Sequence, residues 1–398
     1  MRRLALVLAL IVLATACSKN KTKNVDQPMK LVPFAATLRV QRVWTADVGG
    51  TRTPLLLGLN LAAEGNTVYA AGWGGEVAAF DVSTGHRIWR RRLKATLAGG
   101  PAADPDLVVV GSIDGDVFAL RASDGAVVWH ADVAAEILAA PAVTPRIVVV
   151  RAVDGKLHGL SPADGHEFWQ VQQTVPGLSL RGTSRPDVVG EVAICGFDNG
   201  KVVAANLSDG SSVWETEIST PHGSNQIEQL DDVDATPRTE GNDVYVAQFQ
   251  GKVARLALDT GQIWWSHDMS SYRGMGVDDD NVYVSTSDGQ VVAMRRNTGV
   301  ELWRQKALMY RDLSSPTVAG DTIVVADYQG YVHWLNKETG ALMGRVRSGK
   351  RRISNTPVTA DGLLLVVNDR GGVAAFRAIP IAASARSSRR SKHAKADQ

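Results

Sequence analysis

The chain has 398 residues, is 44% hydrophobic and 21% charged, and sets 43 basic against 41 acidic side chains. So even a balance supplies no electrostatic footprint for nucleic acid. Its only cysteines, Cys17 and Cys195, exclude a disulfide framework.

Residues 1–16 have the form of a secretory signal. Arg2 and Arg3 precede an apolar run from Leu4 to Leu13, and Ala14-Thr15-Ala16 precede Cys17. The run is too short to span a bilayer as a helix. A cysteine directly after small residues resembles the bacterial lipobox, which implies cleavage before Cys17 and acylation of its thiol. Ser18, rather than Asp, then implies sorting to the outer membrane. The alternative is a plain secreted protein with an incidental Cys17. Residues 17–36 are expected to be the lipidated cysteine and a flexible tether. Ser18–Pro33, sixteen residues of polar composition, would reach about 20 Å as a flexible chain.

The body is a repeat. Its opening glycines are Gly75, Gly115, Gly155, Gly200, Gly251, Gly289, Gly330 and Gly371. Seven are followed ten residues later by Gly85, Gly125, Gly165, Gly210, Gly261, Gly299 and Gly340. Six of those carry a tryptophan four residues on: Trp89, Trp129, Trp169, Trp214, Trp265 and Trp303; Gly344 fills the seventh slot. A period of about 40 residues signals a propeller or solenoid. Val-rich runs ending in D-G or N-G are hairpin signals. Around Gly155 they predict strands at 141–143, 147–150, 157–160 and 166–170. The third strand is apolar on both faces, as at Val117, Phe118, Ala119 and Leu120, which suits a sheet sandwiched between two others. The tryptophan is then expected at the seam, its burial worth on the order of 2–3 kcal/mol.

Arg42-Val43-Trp44 is a lone copy of the last strand, and Gly371–Phe376 begins a copy with no following tryptophan. Pairing them would close a ring and remove both open edges. The expected fold is therefore all-β: an eight-bladed β-propeller over residues 37–378, with four-stranded antiparallel blades and the ring closed by the N-terminal strand. Residues 379–398, rich in Ser, Ala, Arg and Lys, read as a disordered basic tail.

Two neighbouring connections between repeats are longer than the rest, within residues 172–185 and 215–238. Both would emerge on the same end of the ring and form one raised patch. The first contains Leu178, Leu180 and Arg181; the second contains Asp232 and Asp234. Two apolar anchors beside an arginine suit a protein interface. Equally, the leucines suit an inner strand and the aspartates a solvated turn.

The lipoprotein start, the Trp-marked units, L-S-L-R-G at residues 178–182 and D-V-D-A-T-P at residues 232–237 together resemble the BamB family. That family supplies the lipoprotein propeller of the machinery that inserts β-barrels into the bacterial outer membrane. The resemblance implies a non-catalytic scaffold on the periplasmic face of the outer membrane, held there only by its lipid. It implies docking on the POTRA region of BamA, alongside the other Bam lipoproteins, with Leu178, Leu180 and Arg181 packing on the partner. Asp232 and Asp234 would orient Arg181 or bond the partner. A further expectation within the binding class is that blade edges accept nascent outer membrane strands.

The competing reading is a pyrroloquinoline-quinone dehydrogenase, which shares the Trp-marked ring. Such enzymes resemble one another in adjacent paired cysteines and a calcium-binding set, which two isolated cysteines do not match. Cys195 occupies a slot otherwise held by Ala70, Val110, Val150, Val246, Val284, Val325 and Val366, so it reads as core. Asp278-Asp279-Asp280 reads as a polar turn, and His158 and His333 share one strand slot. No cofactor, metal or catalytic residue is expected.

Overall fold

The computed structural model describes residues 26–50, 58–176, 184–218, 233 and 235–381. Among them the strands form eight sheets, the blades of a propeller, and no helix. Blades 1 to 7 span residues 61–92, 97–132, 142–172, 187–217, 238–268, 275–305 and 317–347, each with four antiparallel strands paired in chain order. Blade 8 joins Val358–Ala360, Leu363–Val367 and Gly372–Pro380 to the N-terminal strand Leu38–Asp47. The closing pair runs antiparallel from Leu38 opposite Pro380 to Asp47 opposite Gly372. One element was not expected. Gly58–Leu59 adds a fifth strand to blade 2, parallel to Leu97–Ala103. Two residues are too few to show alternation.

In blade 3 the strands are Ala142–Val143, Val148–Arg151, Lys156–Leu160 and Glu167–Gln172. Third strands are largely buried on both faces, because each blade is covered by two others. The buried apolar side chains accordingly divide into eight clusters, each drawn from two adjacent blades. Cys195 lies in one of them, fully buried. Burial pushes its thiol up to about 11, which makes it a core side chain rather than a nucleophile.

One contact is repeated around the ring. In seven of the eight blades the fourth-strand tryptophan donates its indole N–H to a backbone carbonyl of the next blade, just beyond the third strand. Trp44 bonds Val82, Trp89 Ala122, Trp129 Pro162, Trp169 Leu207, Trp214 Leu258, Trp265 Arg296 and Trp303 Lys337, at 2.7 to 3.0 Å. The second glycine of that next repeat lies on the ring. A Cβ at Gly165 would stand 2.6 Å from Trp129, and one at Gly340 would stand 2.4 Å from Trp303. Both glycines also have φ of +76° and +70°. Glycine is required there twice over, by conformation and by space.

The odd slot, Gly344, follows from the closure. Blade 8 takes its fourth strand from the other end of the chain, so it has no turn between third and fourth strands. A tryptophan on blade 7 would have nothing to dock on. Leu38 and Val40 of the N-terminal strand approach Gly344 instead, within 3.2 Å of where a Cβ would be. The buried aromatic mass at this seam comes from Trp334, edge-on to Phe376 at 6.4 Å.

Polar side chains finish the turns. The Asp81 carboxylate accepts bonds from Ser83 Oγ, Thr84 N and Thr84 Oγ1, which lower its pKa to about 2. Asp278 likewise accepts from the amides of Asp280 and Asn281, as a turn residue should. His158 and His333 are buried and bond Glu167 at 2.7 Å and Asp327 at 3.1 Å.

The segment read as a tether is described from Asp26 onward, and there it is laid along blade 7. Met29 N donates to Met309 O at 3.0 Å, and Thr37 N donates to Met343 O at 2.9 Å. Leu31 packs into the seam between blades 6 and 7. Arg345 lies over the Phe34 ring at 4.9 Å.

The indole contact predicts a graded glycine series. Gly165→Ala should destabilise the fold by about 2 kcal/mol more than Gly190→Ala, because overpacking adds to the cost of positive φ. Gly190 has φ of +57° and nothing within 4 Å of a built Cβ. Chemical denaturation measures both; equal losses would show that the ring contact is not tight.

Candidate docking face

Which end of the ring carries the inter-blade connections is fixed by backbone bonds. The residue after a fourth strand donates its N–H to the opening glycine of the same blade: Leu93 to Gly75, Val133 to Gly115, Gln173 to Gly155, Ile218 to Gly200, Met269 to Gly251 and Ser348 to Gly330. Connections and second-to-third-strand turns therefore share one end, here termed the connection end.

The predicted site residues Cys17, Leu178, Leu180, Arg181, Asp232 and Asp234 all lie outside the described residues. The roots of both long connections lie within them. The first leaves blade 3 at Gln173, which is buried and donates to Glu215 Oε1 of blade 4 at 2.9 Å. It returns through Ser184, fully buried, whose Oγ accepts from Gly196 N at 3.3 Å. The second leaves blade 4 at Ile218 and returns through Val233 and Ala235, each 1% exposed. Val233 N donates to Phe197 O at 3.2 Å.

The two returning roots meet. Ser184 Oγ donates to Ala235 O at 3.4 Å, and Arg185 N donates to Thr236 Oγ1 at 3.3 Å. Beyond them, Asp187 Oδ2 accepts from Thr239 N at 3.0 Å and from Thr239 Oγ1 at 2.7 Å. Both connections thus return side by side where blades 4 and 5 meet, at one end of the ring.

Beside these roots lies a pair that the motif reading passed over. Arg151 Nη2 bonds Asp198 Oδ1 at 2.8 Å, with side chains 1% and 3% exposed. The guanidinium also covers the Phe197 ring at 4.5 Å and donates to Ala152 O. Asp198 lies in the turn that receives Val233. Arg151 was visible as an exception: four residues before the opening glycine, the other blades have Ala71, Gly111, Gly196, Ala247, Ser285, Ala326 and Val367. A small slot filled by arginine marks the blade beside the long connections.

Elsewhere at this end a chain of ion pairs links connections of successive blades. Arg273 bonds Asp312 at 2.6 Å, Arg352 bonds Asp312 at 3.2 Å, and Arg352 bonds Asp369 at 2.7 Å. The two arginines hold the Asp312 carboxyl below its ordinary range against the opposing effect of burial, which is the largest single influence on it. Among the described residues no group of three or more His, Cys, Asp or Glu side chains is placed to hold a metal ion, and no helix is long and apolar enough to cross a membrane.

Comparison with known proteins gives a consistent set of matches. The family model described as outer membrane protein assembly factor BamB matches residues 31–96, 73–305 and 288–379. The outer membrane protein assembly factor BamB of Pseudomonas aeruginosa is 41% identical, over 94% of this chain and 98% of that protein. The crystal structure of BamB from Moraxella catarrhalis superposes with a TM-score of 0.78 at 27% identity, over 85% of this chain and all of that one. A quinohemoprotein alcohol dehydrogenase from Comamonas testosteroni gives 0.67 at 14% identity, over 85% of this chain and 76% of its own, a likeness of fold alone.

Asp198→Ala would leave the Arg151 guanidinium buried without its carboxylate, at a cost of about 3–5 kcal/mol. Replacing both residues, Arg151→Met with Asp198→Leu, should recover most of that loss. Denaturation of the three forms checks it; a double variant as unstable as Asp198→Ala would show that the pair is needed for more than mutual neutralisation.

Proposed function

The chain belongs to the family of the outer membrane protein assembly factor BamB, and from that premise we propose that it is a non-catalytic scaffold of the β-barrel assembly machinery. In this reading the connections at residues 172–185 and 215–238 form one docking patch for the periplasmic POTRA region of BamA. Leu178 and Leu180 bury against the partner, Arg181 pairs with it, and Asp232 and Asp234 orient Arg181 or bond the partner directly. The other Bam lipoproteins share the assembly, and outer membrane β-barrel proteins are what it helps to fold and insert.

The observation that supports this reading is the meeting of the two returning roots at Ser184–Ala235 and Arg185–Thr236. Connections rooted that close together present their middles as one surface. A rigid ring of eight buried seams beneath them supplies preorganisation, which lowers the ordering cost of association. Acylated Cys17 places the scaffold on the periplasmic face of the outer membrane. The chain is already bonded to the ring at Met29, which shortens the reach that the tether's composition suggests.

Leu178→Ala, Leu180→Ala and Arg181→Ala should each weaken co-purification of BamA from a detergent extract. Arg181→Ala should cost about 2 kcal/mol or more as a hot spot, roughly thirtyfold in affinity. Thermal unfolding should stay within a degree or two of the parent. Loss of folding in the leucine variants would mean that these side chains are core and not interface.

A further inference from the structure

The connection end is electrically uneven. Around blades 7, 8 and 1 it presents Lys306, Arg347, Lys350, Arg351, Arg370 and Arg92, all exposed. None of the six forms an ion pair among the described residues. Their positions place them together. Lys306 follows the fourth strand of blade 6, and Arg347 and Arg92 end those of blades 7 and 1. Lys350 and Arg351 lie in the connection from blade 7 to blade 8, and Arg370 lies in the turn of blade 8.

The carboxylates of this sector are already engaged. Asp312 and Asp369 are taken by Arg273 and Arg352. Asp327 is buried with Arg311 at 2.8 Å. Asp47 is exposed but accepts the amide of Gly49 at 2.8 Å. On the same end, blade 2 exposes Asp114 and Asp132 instead. The positive charge is therefore a sector and not a general property of the ring.

A second, independent feature says what faces that sector. The N-terminal segment runs down blade 7 from Thr37 to Met29, where Met29 N bonds Met309 O of the connection leaving blade 6. Arg311 Nη1 donates to Met29 O at 2.9 Å, and Arg345 Nη1 donates to Val32 O at 3.3 Å. These bonds fix the exit of the chain toward Cys17 at the connection end, on the border of the basic sector. Between Cys17 and Asp26 stand only residues 18–25. Fully extended, they span about 28 Å at most.

We propose that this basic sector is a membrane contact that takes anionic phospholipid headgroups of the bilayer holding the acyl chains. The proposal rests on the lipid-anchor reading for its geometry. A lipid at Cys17 keeps the sector within tether reach of headgroups, at a high effective concentration. Basic residues close to an anionic surface each strengthen binding by about fivefold, within a Debye length. An acidic protein partner would find the same charges, but nothing in the fold holds one there.

The test uses the full chain with Cys17→Ala, which carries no acyl group, so headgroup binding is read separately from anchoring. Flotation is measured with vesicles of phosphatidylcholine alone and with vesicles containing phosphatidylglycerol. The account expects binding only to the anionic vesicles, lost at high salt. It expects at least a tenfold loss with Lys350→Glu, Arg351→Glu and Arg370→Glu combined, without a change in thermal unfolding. Reversal at Arg39, Arg87 and Arg377, exposed away from the sector, should leave binding within twofold. No flotation on anionic vesicles, or equal flotation of both triple variants, would overturn the proposal, as would capture of an acidic protein without vesicle binding. Failure of the anchor reading shows elsewhere, as membrane fractionation of the Cys17→Ala chain that stays unchanged in high salt, where the headgroup contact is lost.

Discussion

An indole face pressed against a glycine of the next blade is the contact on which the molecule depends. It occurs at seven seams, from Trp44 on Gly85 to Trp303 on Gly340. Each instance joins three constraints. The turn needs positive φ, the ring needs the volume of a missing side chain, and the indole N–H needs a buried acceptor. One glycine and one carbonyl meet all three. Because the contact always points from one blade to the next, it sets the spacing between neighbours as well as their attraction.

The eighth seam shows how far that rule reaches. Closure by Leu38–Asp47 removes the edges a finished array would otherwise expose, but it also removes a turn. Gly344, Trp334 and Phe376 are the local answer. The N-terminal segment returns along blade 7 to the connection end, while Pro380 finishes beside Leu38 at the other. The exit of the N-terminal segment, the roots of the long connections and the basic sector consequently share one end of the ring.

Much of this was legible in the chain. Glycine and tryptophan spacings gave eight blades, because a steric requirement for glycine leaves a mark that composition cannot blur. Closure was legible because two incomplete repeats complete each other. The burial of Cys195 was legible from the valines in its slot. Other features left no periodic trace. Gly58–Leu59 is too short to alternate. Residues 26–37 show no repeat pattern and follow the polar stretch from Ser18, so they read as tether; their attachment depends on Arg311 and Arg345, about three hundred residues away. Arg151 does stand out among the small residues of its slot, but the pattern names no partner for it; only its juxtaposition with Asp198 across two blades explains it.

A rigid ring with a paired root suits a scaffold because association then orders few new groups. The roots at Ser184 and Ala235 bring two chain segments, 51 residues apart in sequence, together where blades 4 and 5 meet. The central claim is that these segments act as a single docking patch. Site-specific photo-crosslinking tests it most directly, with a benzophenone side chain placed at residue 180 in one form and at residue 234 in another. The account predicts that both positions capture the same POTRA domain of BamA in the native envelope. Capture of different partners by the two positions, or of none by either, would contradict it.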